Sequence, residues 1–599
     1  MRRQPPNVTA ARNVTAAPNV TAAPNVTAAR NVTAAPNVTA PAGRIVGIQQ
    51  DVLGTTVNTF LGIPFATPPI GDLRFKRAEP KEPWEGIYQA TRAPNACSQE
   101  VYEDDYYLWA VNTPVSEDCL YLNVWQPTPV PTGAAVMVWI FGGGFQMGSC
   151  SSVTYDGKYL AATEGVIVVG MNYRVSTLGF LYAGTEDAPG NVGLTDQVLA
   201  LQWVQDNIAS FGGDPSKVTL FGESSGGVSI GLHLISPGSW ALFSRAILQS
   251  GTALIEARGG GDSKADAYNK TMRFAQALGC PTEEGEMLEC LRSMDGQLLV
   301  TTWALGYETF NPIIDGNFLP LNPHVALDNG AFKKADILLG SNENEGTYFL
   351  LYGGSPGFSE DTESLITKEQ FLEGIRYNFP AFNDFAVDAS AFQYTDWKDL
   401  GRNSMYRDAL DSLYGEFSFI CPDVTTGRAH VRNGASVYMY RFAHRGSISP
   451  FPPWMGVIHG EELPFVFGLP LDPAYGFNGE EKELSRRMMR HWANFAQTGN
   501  PNDNGERIWS DFNQTTGGYL VLDALPARML TGPSTVNCAF WDNYVKPLIN
   551  KTEALKRGVE RPSTCNNTSG VLGNYHTGKL QRIVAISTLV ILQLATLND

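Results

Sequence analysis

Histidine is scarce. Seven occur among 599 residues, so chemistry that needs an imidazole base has few places to reside. Basic charge is short as well: 43 Lys and Arg stand against 60 Asp and Glu, a formal net charge of −17. That balance speaks against a nucleic-acid partner and would attract cationic ligands, although an acidic surface that only confers solubility accounts for the charge equally well. An apolar run long enough to cross a bilayer is missing at the C-terminus: Ile583 to Leu597 is 15 residues, where a span needs about 20. Met1–Arg2–Arg3–Gln4–Pro5–Pro6 contains no apolar core and does not read as a signal peptide. No linker-like stretch interrupts Arg44 to Pro547, where strand-like and helix-like apolar runs alternate. With 43% hydrophobic residues this reads as one large α/β domain. Nothing in the pattern asks for a metal ion or a cofactor.

What is present is a strand running into Gly-x-Ser-x-Gly. Val218–Phe221 is apolar, Gly222–Glu223–Ser224–Ser225–Gly226 follows, and Val228–Ile235 has a helix-like apolar pattern. Gly-x-Ser-x-Gly alone is common; between a strand and a helix it predicts a nucleophile elbow, with Ser224 pushed out at the end of a sheet and the next N–H aimed at a developing oxyanion. A second apolar strand, Val136–Phe141, enters Gly142–Gly143–Gly144, a backbone bare enough to approach a tetrahedral intermediate.

A serine nucleophile needs a base and a carboxylate, expected in the chain order Ser, acid, His. His233 and His324 come too early, and His576 lies in the tail. His491 sits in a helical run and His444 ends a strand, whereas His459 lies in a glycine-flanked loop that frees the imidazole to project; His459 is favoured over His444. The acid is expected after the buried strand Ile337–Gly340, as Glu343 or Glu345, although a solvated acidic loop explains either residue taken alone.

These segments, with Glu117–Asp118–Cys119–Leu120–Tyr121–Leu122–Asn123–Val124–Trp125, Phe211–Gly212–Gly213–Asp214–Pro215, Asn344–Glu345–Gly346 and Met455–Gly456–Val457–Ile458–His459–Gly460, resemble the type-B carboxylesterases and, among them, the cholinesterases. The resemblance runs from about Arg44 to Lys546. It implies an α/β-hydrolase fold with a large, mostly parallel central sheet flanked by helices. It also implies Ser224 as nucleophile, Glu345 as acid, His459 as base, and the N–H groups of Gly143, Gly144 and Ser225 as oxyanion donors. Trp109, ten residues before Cys119, resembles the tryptophan that faces a quaternary ammonium. Glu223, Tyr348 and Phe349 resemble the rest of that choline site, and the implied substrate is a small choline ester. Broad carboxylesterase activity and a non-catalytic adhesion role are the alternatives, the second disfavoured by the intact Ser224, Glu345 and His459.

The chain also departs from the family. Thr252–Ala253–Leu254–Ile255–Glu256 shows no acyl-pocket tryptophan, and the loop Trp303–Phe310 is short and lacks the phenylalanine pair that restricts vertebrate acetylcholinesterases to acetyl groups. Glu100 and Tyr102 replace the expected gorge-mouth aspartate and resemble invertebrate cholinesterases; Trp303 is a candidate peripheral aromatic. Eight cysteines admit 105 pairings; the resemblance implies Cys97–Cys119, Cys280–Cys290 and Cys421–Cys538. Cys565 then resembles an inter-subunit cysteine of a homodimer and Cys150 is a free thiol, unless those two pair.

Asn-Val-Thr begins at Asn7, Asn13, Asn19, Asn25, Asn31 and Asn37, a six-residue period with one valine per unit. Residues 1–43 therefore read as low-complexity, disordered and glycosylated chain on a secretory route. Residues 44–548 read as the catalytic domain and 549–582 as a linker carrying a GPI attachment site near Ser569–Gly570. Residues 583–599 read as the hydrophobic signal, with a short tail anchor as the alternative. The expected location is extracellular, GPI-anchored at the cell surface or secreted.

Overall fold

The computed structural model describes residues 35–101, 111–254, 261–301, 309–503, 508–513, 515 and 517–559. The chain divides into two units, one ending at Val545 and one beginning at Lys546.

The larger unit is organised by an eleven-stranded sheet. Its strands, numbered along the chain, are β1 (Ile48–Val52), β2 (Thr55–Pro64), β3 (Tyr121–Thr128), β4 (Ala134–Ile140), β5 (Ile167–Met171), β6 (Gly213–Glu223), β7 (Arg245–Gln249), β8 (Ile337–Asn342), β9 (Val437–Phe442), β10 (Gly518–Leu522) and β11 (Arg528–Thr531). In space they run β11-β10-β9-β8-β7-β6-β4-β5-β3-β2-β1. From β10 to β5 every pairing is parallel, and antiparallel pairs flank that block on both sides. This is the mostly parallel sheet expected. Parallel strands covered on both faces need side chains that are apolar throughout, and β4, β5, β8 and β10 are buried along their whole length. Trp139 on β4 packs on Tyr155, Phe221 and Phe467, all at about ring-contact distance, and anchors the centre.

The topology decides where chemistry can sit. After β4 the chain moves to β5 on one side, then returns to β6 on the other. Loops leaving the carboxyl ends of β4 and β6 therefore diverge and leave a crevice between them, the place where open α/β sheets bind ligands. Gly142–Gly144 leaves β4 there, and Ser224 leaves β6.

Two expected boundaries move. The sixth Asn-Val-Thr unit is not disordered: Asn37–Ala40 pairs antiparallel with Gly43–Val46, which pairs parallel with Ile87–Gln89. A strand's period of two turns Val38 and Ala40 inward and leaves Asn37 and Thr39 exposed. One valine cannot build a core but can dock on one already there. The turn is held by Ala42, whose N–H donates to Asn207 Oδ1 at 2.9 Å. In the second unit, Lys546–Val559 is a helix, where a linker was expected from 549 onward; Leu548 and Leu555 stand seven residues apart, a helical repeat. The tail from 560 to 599, with Cys565 and the expected hydrophobic signal, lies outside the described residues.

Among the described residues the disulfides are Cys97–Cys119, Cys280–Cys290 and Cys421–Cys538, as the resemblance implied. Cys150 is a buried free thiol, and burial pushes it up to about 12, so it is protonated and inert.

Next to the crevice, Arg174 follows β5 and is fully enclosed against Asp196 of the helix Val192–Asn207. Its Nε and Nη2 donate to the two carboxylate oxygens at 2.8 and 2.7 Å, and its own N–H donates to Asp196 Oδ2 at 3.1 Å. A paired buried charge adds little net stability, but an orphaned one costs about 3–5 kcal/mol. Asp196→Asn is therefore expected to lower unfolding stability by about that amount, whereas Arg174→Met combined with Asp196→Leu costs less than Asp196→Asn alone. Denaturant titration of the three proteins measures this; equal stability of Asp196→Asn and the parent would show that the pair is dispensable.

Candidate active site

Ser224 sits between β6 and the helix Ser225–Ile235 with φ 55° and ψ −126°, a backbone conformation that L-residues rarely adopt. The neighbouring strand requires it. A Cβ on Gly226 would lie 2.0 Å from the Ile140 carbonyl oxygen, and one on Gly222 would lie 2.6 Å from the same atom. The turn therefore presses directly on the end of β4 and leaves Ser224 no relaxed alternative. Such strain, of order 1–3 kcal/mol, persists only where surrounding contacts enforce it. Here the Ser224 N–H is held by the Gln249 carbonyl at 2.9 Å, and the Ser224 carbonyl accepts from the Val228 N–H at 2.8 Å.

The glycine loop is equally determined. Gly143 and Gly144 have φ +105° and +63°. A Cβ on Gly142 would lie 2.7 Å from Glu223 Oε2 and 2.9 Å from Ser224 Cβ, so the loop's bare backbone lies against the nucleophile turn. The Phe145 N–H donates to Ser225 Oγ at 3.2 Å and ties the two together. Among the described residues, the N–H groups of Gly143, Gly144 and Ser225 donate to no acceptor. Three free amides at one crevice, one of them at a helix N-terminus, form a ready place for developing negative charge.

The candidate base and acid meet at the end of β8 and the loop that follows β9. Glu345 opens the helix Glu345–Tyr352. Its Oε2 lies 2.6 Å from His459 Nδ1, and its Oε1 accepts from the Ser250 hydroxyl and the Asn342 N–H, each at 2.6 Å. Glu345 is enclosed, while Glu343 faces solvent. His459 is enclosed too, its loop held by a cluster of Leu351, Phe451, Met455 and Ile458. Its Nε2 has no hydrogen-bond partner among the described residues and lies 3.1 Å from Glu223 Oε1 without hydrogen-bond geometry. That nitrogen is the one a serine proton would reach.

The other histidines described in detail are engaged elsewhere. His233 bridges Ser239 and Gln197, and burial lowers it to about 3. His430 bonds the Ala335 carbonyl, and His491 the Pro501 carbonyl. His444 stands between Glu481 and Asp523.

Of the expected choline-site residues, the structure brings Glu223 and Phe349 to His459. The Phe349 ring lies 4.8 Å from the imidazole, one helical turn after Glu345, and Tyr348 meets Phe349 edge-on. Trp109, Tyr102, Trp303 and Tyr307 lie outside the described residues. Sequence reasoning missed five participants: Ser250, Phe419, Gln249, Asn342 and Glu462. Ser250 holds Glu345. The Phe419 ring lies tilted against His459 at 4.9 Å. Gln249 and Asn342 donate to Glu462 at 3.0 and 2.7 Å. Ser250 follows an apolar strand, as Ser224 does, and was visible as a strand-end serine; Phe419 and Gln249 carried no local signal.

Buried charge sets the proton affinities. Glu223 is fully enclosed and neither oxygen has a hydrogen-bond partner among the described residues. Burial raises its carboxyl, Glu462 and Glu345 push the same way, and His459 opposes them. Burial alone would lower His459; the carboxylates of Glu223 and Glu345 outweigh it and raise the imidazole. A base works only when neutral, so activity rises with pH through the His459 titration. In Glu223→Gln one source of that upward pull is gone, and the acid limb of the kcat/KM profile is expected to move to lower pH. A limb that stays in place, or moves to higher pH, would show that Glu223 does not act on His459.

A sequence model of the Carboxylesterase family matches residues 34–541. The acetylcholinesterase of Bungarus fasciatus is 45% identical over 532 residues, covering 86% of this chain and 87% of that protein. The cholinesterase of Mus musculus is 46% identical over 528 residues, 85% and 87% of the two chains. The acetylcholinesterase of Danio rerio is 44% identical over 580 residues, 87% and 89%. A match over nearly the whole sheet-bearing unit, around a serine turn, a glycine loop and a carboxylate-bound histidine, identifies the chain as a carboxylic ester hydrolase that belongs to the carboxylesterase family.

Proposed function

We propose that the protein hydrolyses choline esters, acetylcholine and water giving choline and acetate. The observation that carries the chemistry is the 2.6 Å contact of His459 Nδ1 with Glu345, with Nε2 left free beside the Ser224 turn. Ser224 Oγ attacks the ester carbonyl and passes its proton to His459 Nε2, while Glu345 keeps Nδ1–H in place. The N–H groups of Gly143, Gly144 and Ser225 take the oxyanion. Collapse breaks the bond to the choline oxygen, which leaves with the proton from His459, and an acyl ester remains on Ser224. Water, giving a proton to the same nitrogen, attacks that ester; the proton returns to Ser224 Oγ as the bond to it breaks, and acetic acid leaves and gives its own proton to solvent as acetate.

The choice of a choline ester rests on the relatives, which carry the names acetylcholinesterase and cholinesterase, and on residues here that suit a cation. Glu223 is a carboxylate beside the reacting groups, Tyr348 and Phe349 supply ring surface, and Trp109 supplies the indole face. A second reading, a broad carboxylesterase, draws on the acyl side. There Phe310 is buried edge-on against Phe274, its ring already used in packing, so the phenylalanine pair that would restrict acyl size has no counterpart in it.

Ser224→Ala is expected to lose at least about 10³-fold in kcat, and a phosphorylating inhibitor is expected to label Ser224 alone. Trp109→Ala removes a cation–π contact of about 1–2 kcal/mol, so kcat/KM for acetylcholine falls roughly 5- to 30-fold. The neutral isostere, with carbon in place of nitrogen, loses less because it keeps only the apolar contact. Equal losses for the two esters would make Trp109 a wall residue and favour the broad carboxylesterase. An active Ser224→Ala protein would overturn the mechanism.

We further propose an extracellular enzyme held at the cell surface by a GPI anchor that replaces the hydrophobic tail. Three disulfides fit an oxidising compartment. Among the described residues no helix is long and apolar enough to cross a membrane. A homodimer joined at Cys565 fits the exposed Phe385, Phe392, Trp397 and Leu400, apolar side chains left in solvent. A phosphatidylinositol-specific phospholipase is expected to release the activity from cells as a disulfide-linked dimer that Cys565→Ser reduces to single chains. Recovery of the Ile583–Leu597 peptide from the mature protein would refute the anchor.

A further inference from the structure

Asp411 is a buried carboxylate outside the reacting group that is bonded to the turn carrying Glu345. It lies on the helix Met405–Gly415, enclosed, with one oxygen accepting from the Thr347 N–H at 3.0 Å and the other from Asn344 Nδ2 at 2.9 Å. A Cβ on Gly346 would lie 2.5 Å from the Asp411 carbonyl oxygen and 2.9 Å from its Oδ1, so the helix and the Asn344–Glu345–Gly346 turn are in direct contact. Gly415, one turn further along the same helix, leaves room for the Glu345 side chain: its Cβ would be 3.2 Å from Glu345 Cβ. Asp411 thus grips the residues on either side of Glu345 and makes no contact with the reacting atoms.

The grip continues into the base loop through one amide. With Nδ2 of Asn344 given to Asp411, its Oδ1 is turned toward Val457 and accepts that N–H at 3.0 Å, while the Asn344 N–H donates to the Val457 carbonyl at 2.9 Å. Val457 stands two residues before His459. A Cβ on Gly456 would lie 2.1 Å from Asn344 Oδ1, so that glycine is what admits the amide. Thr347 Oγ1 adds a bond to the Met455 carbonyl at 2.8 Å. An amide has one donor end and one acceptor end. Asp411, accepting from Nδ2, and the Val457 N–H, donating to Oδ1, together fix which end of the Asn344 amide faces which partner.

We infer that Asp411 is a positioning residue for the Glu345–His459 pair, acting through the Asn344 amide to hold the acid turn and the base loop in register. This rests on the reading of Glu345 and His459 as the acid and base of the reaction. Asp411→Asn poses an insoluble choice. Its NH₂ needs an acceptor from Asn344, and if that amide turns over to supply one, its own NH₂ faces the Val457 N–H. Asn344→Asp made in the same protein removes the conflict, because a carboxylate at 344 accepts from both sides.

The test is steady-state kinetics with acetylthiocholine, each preparation normalised to the sites titrated by a phosphorylating inhibitor. Asp411→Asn is expected to lower kcat per site about 10- to 100-fold, the scale of a small misplacement of catalytic groups, with KM within about twofold. Asp411→Asn with Asn344→Asp is expected to recover most of that loss. Asn344→Ala, a milder change on a half-buried turn, is expected to show the same split if Asp411→Asn does not fold. A kcat per site equal to the parent in Asp411→Asn, or in Asn344→Ala where that variant stands in, would overturn the inference, and so would a double variant no better than Asp411→Asn. Glu345→Gln separates the two levels. If it is fully active, the acid–base reading itself fails; if it is inactive while the Asp411 variants are normal, only the positioning role fails.

Discussion

The carbonyl oxygen of Ile140 is the surface against which the site is formed. β4 ends there, and both glycines of the Gly222–Gly226 turn lie so close to that oxygen that no Cβ fits at either position. The turn is therefore as tight as β4 allows, and Ser224 is held at φ 55°. The same contact brings the amide of Ser225 beside those of Gly143 and Gly144, because the glycine loop is the continuation of β4 itself. One close approach of two strand ends thus sets the strain at Ser224 and the place of the three free amides together. It depends in turn on β4 and β6 pairing in parallel from Val136 and Val218 to Ile140 and Gly222, a stretch in which both strands are buried.

Three glutamates close to one imidazole show how environment divides a single side-chain type. Glu345 receives a hydroxyl, a backbone N–H and the imidazole, each at 2.6 Å. Glu462 receives the amides of Gln249 and Asn342. Glu223 receives nothing among the described residues and is as deeply enclosed. Glu345 is thus held in place against His459 Nδ1, while Glu223 is a buried acceptor left open 3.1 Å from His459 Nε2. The imidazole between them is raised by both.

Much of this was legible along the chain. The strand–Gly-x-Ser-x-Gly–helix pattern of Val218–Ile235, the apolar run into three glycines at Gly142–Gly144, and the glycine-flanked His459 are local patterns whose physical meaning does not depend on distant residues. The choice between Glu343 and Glu345 was not legible from spacing, since both follow the same strand by a few residues. In space a helix start turns Glu345 inward to His459 and leaves Glu343 in solvent. The last Asn-Val-Thr unit was misread for a related reason. Its composition is that of the repeats before it, and only the docking of Val38 and Ala40 on the following domain makes it a strand.

The sequence by itself determined the classes of element, the serine turn, the glycine loop and the small set of histidines from which a base could come. These follow from periodicity and from residues with special backbone freedom, which are properties of a few consecutive positions. Tertiary structure alone decided the partners. Ser250 meets Glu345 across 95 residues, His459 meets it across 114, and Asp411 reaches Asn344 across 67. No local pattern encodes those distances, because they are created when parallel strands far apart in the chain are laid side by side and their carboxyl ends are brought to one edge.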